Sequence, residues 1–182
     1  MHLTRCVSLV GILLPALAAA DPVVLACLKS ETSVRGGVLL SAKQAASEIF
    51  DGIGVELRWS CKSEPAAIVI RLAPRPPKGF RKGTLAYALP FARQGVRITV
   101  FYDRLESILE DHWLFAGSIF GHVLAHEIGH VLERVDSHAQ TGLMRGYWTE
   151  RDFQSIKFNS FGFTPEDARS IRNHAEQEDP IE

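Results

Sequence analysis

His126, Glu127 and His130 are the residues of this chain best spaced to do chemistry. His126-Glu127-Ile128-Gly129-His130 is an HExxH pattern. Four residues along a helix make slightly more than one turn, so both imidazoles leave the same face. Their ring nitrogens can then grip one Zn2+ at ~2.0–2.1 Å. Glu127 directly follows the first histidine, so its carboxylate is expected to reach water beside the metal and not the metal itself. Zinc brings the pKa of such a water to about 7. A carboxylate there can take the proton as the water attacks a carbonyl, then pass it to the leaving amine. The residue types therefore predict metal ligation by His126 and His130 and a catalytic, general-base role for Glu127.

Five residues recur by chance, so the flanks matter. Val123-Leu124-Ala125, Ile128 and Val131-Leu132 are apolar. Two histidines and a glutamate in an apolar helix cost free energy unless they are satisfied, and one metal satisfies all three. His122 extends the histidine stripe, but it stands about 12 Å along the axis from His130. Pairing it with His126 would put Val123 where the base belongs. His122 is read as a core or supporting histidine.

A catalytic zinc site takes three protein ligands and leaves a fourth position for water. Downstream, HEIGHVLERVDSHAQTGLM resembles the metzincin metallopeptidases, which place a third histidine after HExxH and then a methionine turn. Gly142-Leu143-Met144 matches that turn, and the resemblance implies Met144 as an apolar floor beneath the metal. The common metzincin spacing puts a glycine and the third ligand at positions that are Glu133 and Asp136 here. The histidine comes two residues later, at His138. Imidazole is the commoner donor in such sites, so His138 is the expected third ligand, with Asp136 open as an alternative because carboxylate oxygen also binds zinc. HExxH, six residues, SH and a Gly-aliphatic-Met turn together resemble small secreted bacterial matrixin-like proteins. Glu150 is the best-placed ligand for a gluzincin arrangement, which Met144 and His138 oppose. Tyr147 is read as a core or surface residue.

The resemblance implies a metzincin-like α+β fold and a zinc-dependent metalloendopeptidase acting on a peptide or protein substrate. The alternative is a non-catalytic zinc- or peptide-binding domain of that fold. In metzincins an edge strand above the zinc pairs with extended substrate. Residues 96–102 and 84–89 are both candidates for it.

The elements that must position these groups follow from pattern. Apolar runs predict strands over 23–28, 55–59, 67–72, 84–89 and 96–102. Helical spacing predicts a helix over 38–53, stopped by Gly52 and Gly54, a short one over 104–110 and a long one over 113–132. Thr149 with Asp152, and Thr164 before Pro165, mark two further helix starts. The order predicts one α+β domain over 21–182, a twisted mixed sheet of four to five strands packed on two main helices. Proline, glycine and cations over 74–83 predict an exposed loop, with a substrate-facing basic loop as its second reading.

Composition bounds the rest. The chain has 182 residues and a formal net charge of −1, which offers nucleic acid no basic excess. Arg5, the apolar stretch VSLVGILLPALAAA and its small-residue end predict a secretory leader over 1–20, too short to span a membrane. Export to the periplasm or the extracellular space follows, with no membrane span and a monomer expected. Cys6 leaves with the leader. Cys27 and Cys61 remain as an even pair, which predicts one disulfide in an oxidising compartment. A lipoprotein-like box ending at Cys27 is the competing reading.

Overall fold

The computed structural model describes residues 20–62 and 67–177. Apart from Ala20, the expected leader lies outside them, as does Cys6. Among the described residues the chain forms a five-stranded mixed sheet and five α-helices. In chain order these are β1 (Val23–Ser30), α1 (Val38–Asp51), β2 (Glu56–Trp59), β3 (Ile68–Ala73), β4 (Ala86–Ala88) and β5 (Val96–Phe101). They are followed by α2 (Tyr102–Asp111), α3 (Ala116–Glu133), α4 (Glu150–Lys157) and α5 (Pro165–Ala175).

The sheet runs in the order β2-β1-β3-β5-β4. β1 lies parallel to β2 and β3, β3 lies parallel to β5, and β4 is antiparallel to β5 at one edge. A parallel β1–β2 pair needs a crossover, and α1 supplies it. α1 packs on β2, while α3 packs on β4 and β5, so α3 serves the β4 end of the sheet.

α3 is mostly apolar and is buried along nearly its whole length, from Ile119 to Leu132 without a break. Its placement depends on two glycines one turn apart. A Cβ on Gly117 would lie 2.4 Å from the Ser41 Cβ, and one on Gly121 would lie 2.6 Å from the Ala45 Cβ and 2.7 Å from the Ala42 carbonyl. α1 therefore presses directly against the α3 backbone. The long helix expected over 113–132 starts later than its pattern suggests. Trp113–Phe115 is a separate 3-10 turn, and Trp113 and Leu114 are exposed, so their apolar character does not mark the core side of α3.

Cys27 is fully buried in β1 and is disulfide-bonded to Cys61, just past β2. The parallel register sets Ala26 opposite Trp59, which brings the two cysteines together. A closed loop with a sequence separation of 34 stabilises the fold by about 3–4 kcal/mol in chain-entropy terms. With its sulfur so engaged, Cys27 offers no thiol for lipidation. No helix among the described residues is long and apolar enough to cross a membrane.

Candidate metal centre

α3 supplies His126, Glu127 and His130, all buried. The Nδ1 of His126 bonds the Leu143 carbonyl at 2.8 Å, and that of His130 bonds the Val135 carbonyl at 3.0 Å. A carbonyl only accepts, so both Nδ1 atoms carry the proton and both Nε2 atoms carry a lone pair. Those two Nε2 atoms face each other at 3.1 Å. Facing lone pairs repel unless a proton or a metal cation lies between them. A proton is disfavoured: burial takes the His126 pKa down to about 3, and burial, then the nearby His138 charge, lowers that of His130. The pair is able to share a cation.

His138 completes the set. Its ring centroid lies 5.3 Å from that of His126 and 4.9 Å from that of His130. Ligand atoms of all three histidines lie within 4.8 Å of one another, which makes them a group able to hold a metal ion. The Nε2 separation of 3.1 Å is near the about 3.3 Å that two nitrogens adopt on one tetrahedral zinc. His138 is exposed, whereas His126 and His130 are buried. Asp136 and Glu150 are outside this group; Asp136 is exposed, and the Glu150 carboxylate accepts a bond from Gln154 at 2.9 Å. Tyr147 points into solvent, 78% exposed.

Glu127 has no partner for its buried Oε2. Burial alone pushes its pKa up to about 8. An unpartnered buried carboxylate is costly, and a dication on the adjacent histidines would offset that cost by favouring the ionised form.

The loop after α3 does the positioning. Arg134 ends the helix in the left-handed region, at φ 56° and ψ 44°. The chain then turns so that the Val135 N–H returns to the His130 carbonyl. Gly142, at φ 70°, precedes the turn through Leu143 and Met144, and the Ala139 N–H closes on the Met144 carbonyl at 2.9 Å. Met144 is buried against α3: a Cβ on Gly129 would meet its sulfur at 2.7 Å. Three contributors are backbone carbonyls or an absent Cβ, which leave no side-chain signal in the sequence. The Leu143 carbonyl accepts from Trp148 Nε1 at 3.3 Å as well as from His126. The Val135 carbonyl orients His130. Gly146 seats His138, for a Cβ there would lie 2.9 Å from the ring Cγ and 3.0 Å from Nδ1.

His122 stays out of the cluster. It is buried, with Nδ1 2.8 Å from the Ser118 carbonyl and Nε2 3.0 Å from that of Phe161, and so ties α3 to the segment before α5.

No protein-family model matches the chain, and no curated protein matches it. A solved structure described as "Structure of myroilysin" aligns with a TM-score of 0.39 and 15% identity, over 82% of this chain and 72% of that chain.

Of the two candidate edge strands, β5 is interior, paired with both β3 and β4, while β4 is the edge. The Phe101 N–H bonds the Leu85 carbonyl and the Leu89 N–H bonds the Arg97 carbonyl, so residues 85, 87 and 89 turn their backbone groups toward β5. By alternation Ala86 and Ala88 turn theirs to the open side.

Proposed function

We propose that this chain is an exported zinc metalloendopeptidase, with His126, His130 and His138 as metal ligands and Glu127 as general base. The observation behind it is the pair of Nε2 atoms at 3.1 Å, each on a ring whose Nδ1 bonds a backbone carbonyl, joined by a third imidazole. Three imidazoles suit zinc and leave one coordination position for chemistry. Zinc held by these three imidazoles would supply a Lewis acid and lower the pKa of a water at the free position to about 7.

The chain's own groups do the rest. Nδ1–H bonds to Leu143 and Val135 fix which nitrogen of each ring is free and where it points. Glu127 Oε2 lacks any other partner, so it is available to accept the proton of an attacking water and to return it to the leaving amine. Met144 lies against Gly129, between the two helical ligands, as an apolar floor. β4 lies beside α3 and offers the outward N–H and C=O of Ala86 and Ala88 to an extended peptide. A merely structural zinc has no use for an unpartnered carboxylate next to its ligands, which favours catalysis over passive binding. The disulfide fits an oxidising compartment, in keeping with the leader read over 1–20.

The test joins metal analysis to peptide cleavage. Purified protein should contain one zinc per chain and cleave an unstructured protein substrate. Glu127→Gln should keep the zinc and lose hydrolysis by about 10²–10⁴-fold. Equal cleavage by variant and wild type would remove Glu127 from the reaction, and absence of stoichiometric zinc would remove the metal.

A further inference from the structure

Charge is unevenly distributed along this chain. Residues 65–102 contain seven of its 20 basic residues and none of its 21 acidic ones. Its described part carries β3, β5 and β4 with the loops between them, and of these strands β4 is the open edge beside α3. Arg75, Lys78, Arg81 and Lys82 stand in the loop before β4, and Arg93 stands in the loop after it. All five are exposed, and none forms an ion pair with the described residues.

The loop before β4 is also held in place. Arg104 Nη1 donates to the Arg81 carbonyl at 2.9 Å and to the Thr84 carbonyl at 2.7 Å. Phe80 packs its ring 5.3 Å from Tyr87 of β4 and 5.0 Å from Phe101 of β5. Arg81 and Lys82 therefore sit on an anchored rim of the edge strand. Solvated cations on a loop usually have acids among them; here neither loop flanking β4 contains one, while Asp103, at the start of α2, meets the first loop through its backbone N–H, 3.3 Å from the Pro74 carbonyl.

We propose that the peptide taken along β4 is an acidic one, with Asp or Glu side chains meeting Arg75, Lys78, Arg81 and Lys82 on one flank of the strand and Arg93 on the other. This rests on the reading of β4 as the substrate strand. Backbone pairing at Ala86 and Ala88 is indifferent to side chains, so selectivity must come from what flanks it. Complementary charge at an exposed rim raises the association rate and selects among partners, and it weakens with salt.

Binding can be read without hydrolysis. A fluorescent ten-residue peptide rich in Asp and Glu, and its Asn/Gln twin, are titrated against the Glu127→Gln protein by anisotropy, at low and at 0.2 M salt. The acidic peptide should bind at least tenfold tighter at low salt, with the gap closing as salt rises. Arg81→Glu/Lys82→Glu should abolish the gap, and Arg93→Glu, on the other flank, should reduce it. Equal affinity for the two peptides overturns the proposal. So does a gap that neither reversal changes, and so does preferential co-sedimentation with phosphatidylglycerol vesicles, which would assign the cations to a membrane surface. Tight acidic binding by a wild-type protein that cleaves nothing would sink the peptidase reading and leave this one standing; equal cleavage of acidic and neutral peptides would do the reverse.

Discussion

Replacing Gly146 by alanine tests how His138 is held. Gly146 lies outside the left-handed backbone region, so alanine fits its main chain. The obstacle is the imidazole. A Cβ would lie 2.9, 3.0 and 3.2 Å from His138 Cγ, Nδ1 and Cδ2. Carbon contacts relax at about 3.5–4.0 Å, so the ring must retreat by roughly half an ångström or more. His138 is exposed and sits on a loop, so it can move, and fold stability should hardly change. Zinc ligation is less forgiving, because metal–ligand distances hold within about 0.2 Å. Disturbing a residue that orients a ligand typically lowers metal affinity 10–100-fold, or about 1.4–2.8 kcal/mol. Gly146→Ala should therefore show that loss in a chelator competition while its far-UV circular dichroism and thermal midpoint stay at wild-type values. His138→Ala should lose more, and Asp136→Ala should lose little. Zinc affinity for Gly146→Ala within twofold of wild type would refute the packing reasoning, and a larger loss for Asp136→Ala than for His138→Ala would transfer the third position to the aspartate.

Two further predictions concern the end of α3. Arg134 adopts φ 56°, which costs an L-residue about 1–2 kcal/mol that glycine does not bear. Part of that is offset by the added freedom of glycine in the unfolded chain. Arg134→Gly should thus stabilise the protein by about 0.5–1 kcal/mol, seen as a thermal midpoint raised by a few degrees; a lowered midpoint would mean the arginine side chain contributes more than its backbone costs. Glu133, half-buried, has its pKa raised to about 7 by burial first and then by Asp167. Its folded pKa exceeds its unfolded one, so the folded chain holds the extra proton between about pH 4.5 and 7 and loses relative stability as pH rises across that window. Glu133→Gln should be neutral at pH 4 and stabilising by about 1 kcal/mol at pH 8, a figure discounted for its partial exposure. Equal effects at the two pH values in denaturant titrations would contradict the burial account.

Much of the fold was legible because each element has a period or a boundary residue. The alternation in VELRW and the helical spacing of Ala42, Ala46 and Phe50 survive in β2 and α1 nearly to the residue. Thr149 and Thr164 form capping boxes with Asp152 and Asp167. What failed was the start of α3. Trp113 and Leu114 continue an apolar run, yet both face solvent, because hydrophobicity reports what a side chain can bury and not whether a neighbour arrives to bury it. Strand order was unreadable for a related reason. Nothing local in 84–89 or 96–102 distinguishes an edge from an interior strand; that depends on β3 pairing with β5 across a long separation.

The site divides along the same line. Ligand types and their helical spacing are side-chain facts, so His126, Glu127 and His130 could be picked out directly. Their supports are backbone carbonyls and absent Cβ atoms, which leave no motif. The departure from metzincin spacing shows why that matters. The residue where the resemblance expects a glycine is Glu133, but the left-handed turn is made one position later, by Arg134. That turn delivers the Val135 carbonyl to His130, and the chain then runs on to His138 before Ala139 closes against Met144. The two-residue offset from Asp136 to His138 is thus absorbed where the backbone reverses, and the third imidazole still returns to the pair. A count of residues along the chain constrains such a site less than the contacts that gather it: His138 reaches the pair from two places beyond the expected position, whereas one methyl group at Gly146 would push its ring away without changing the numbering.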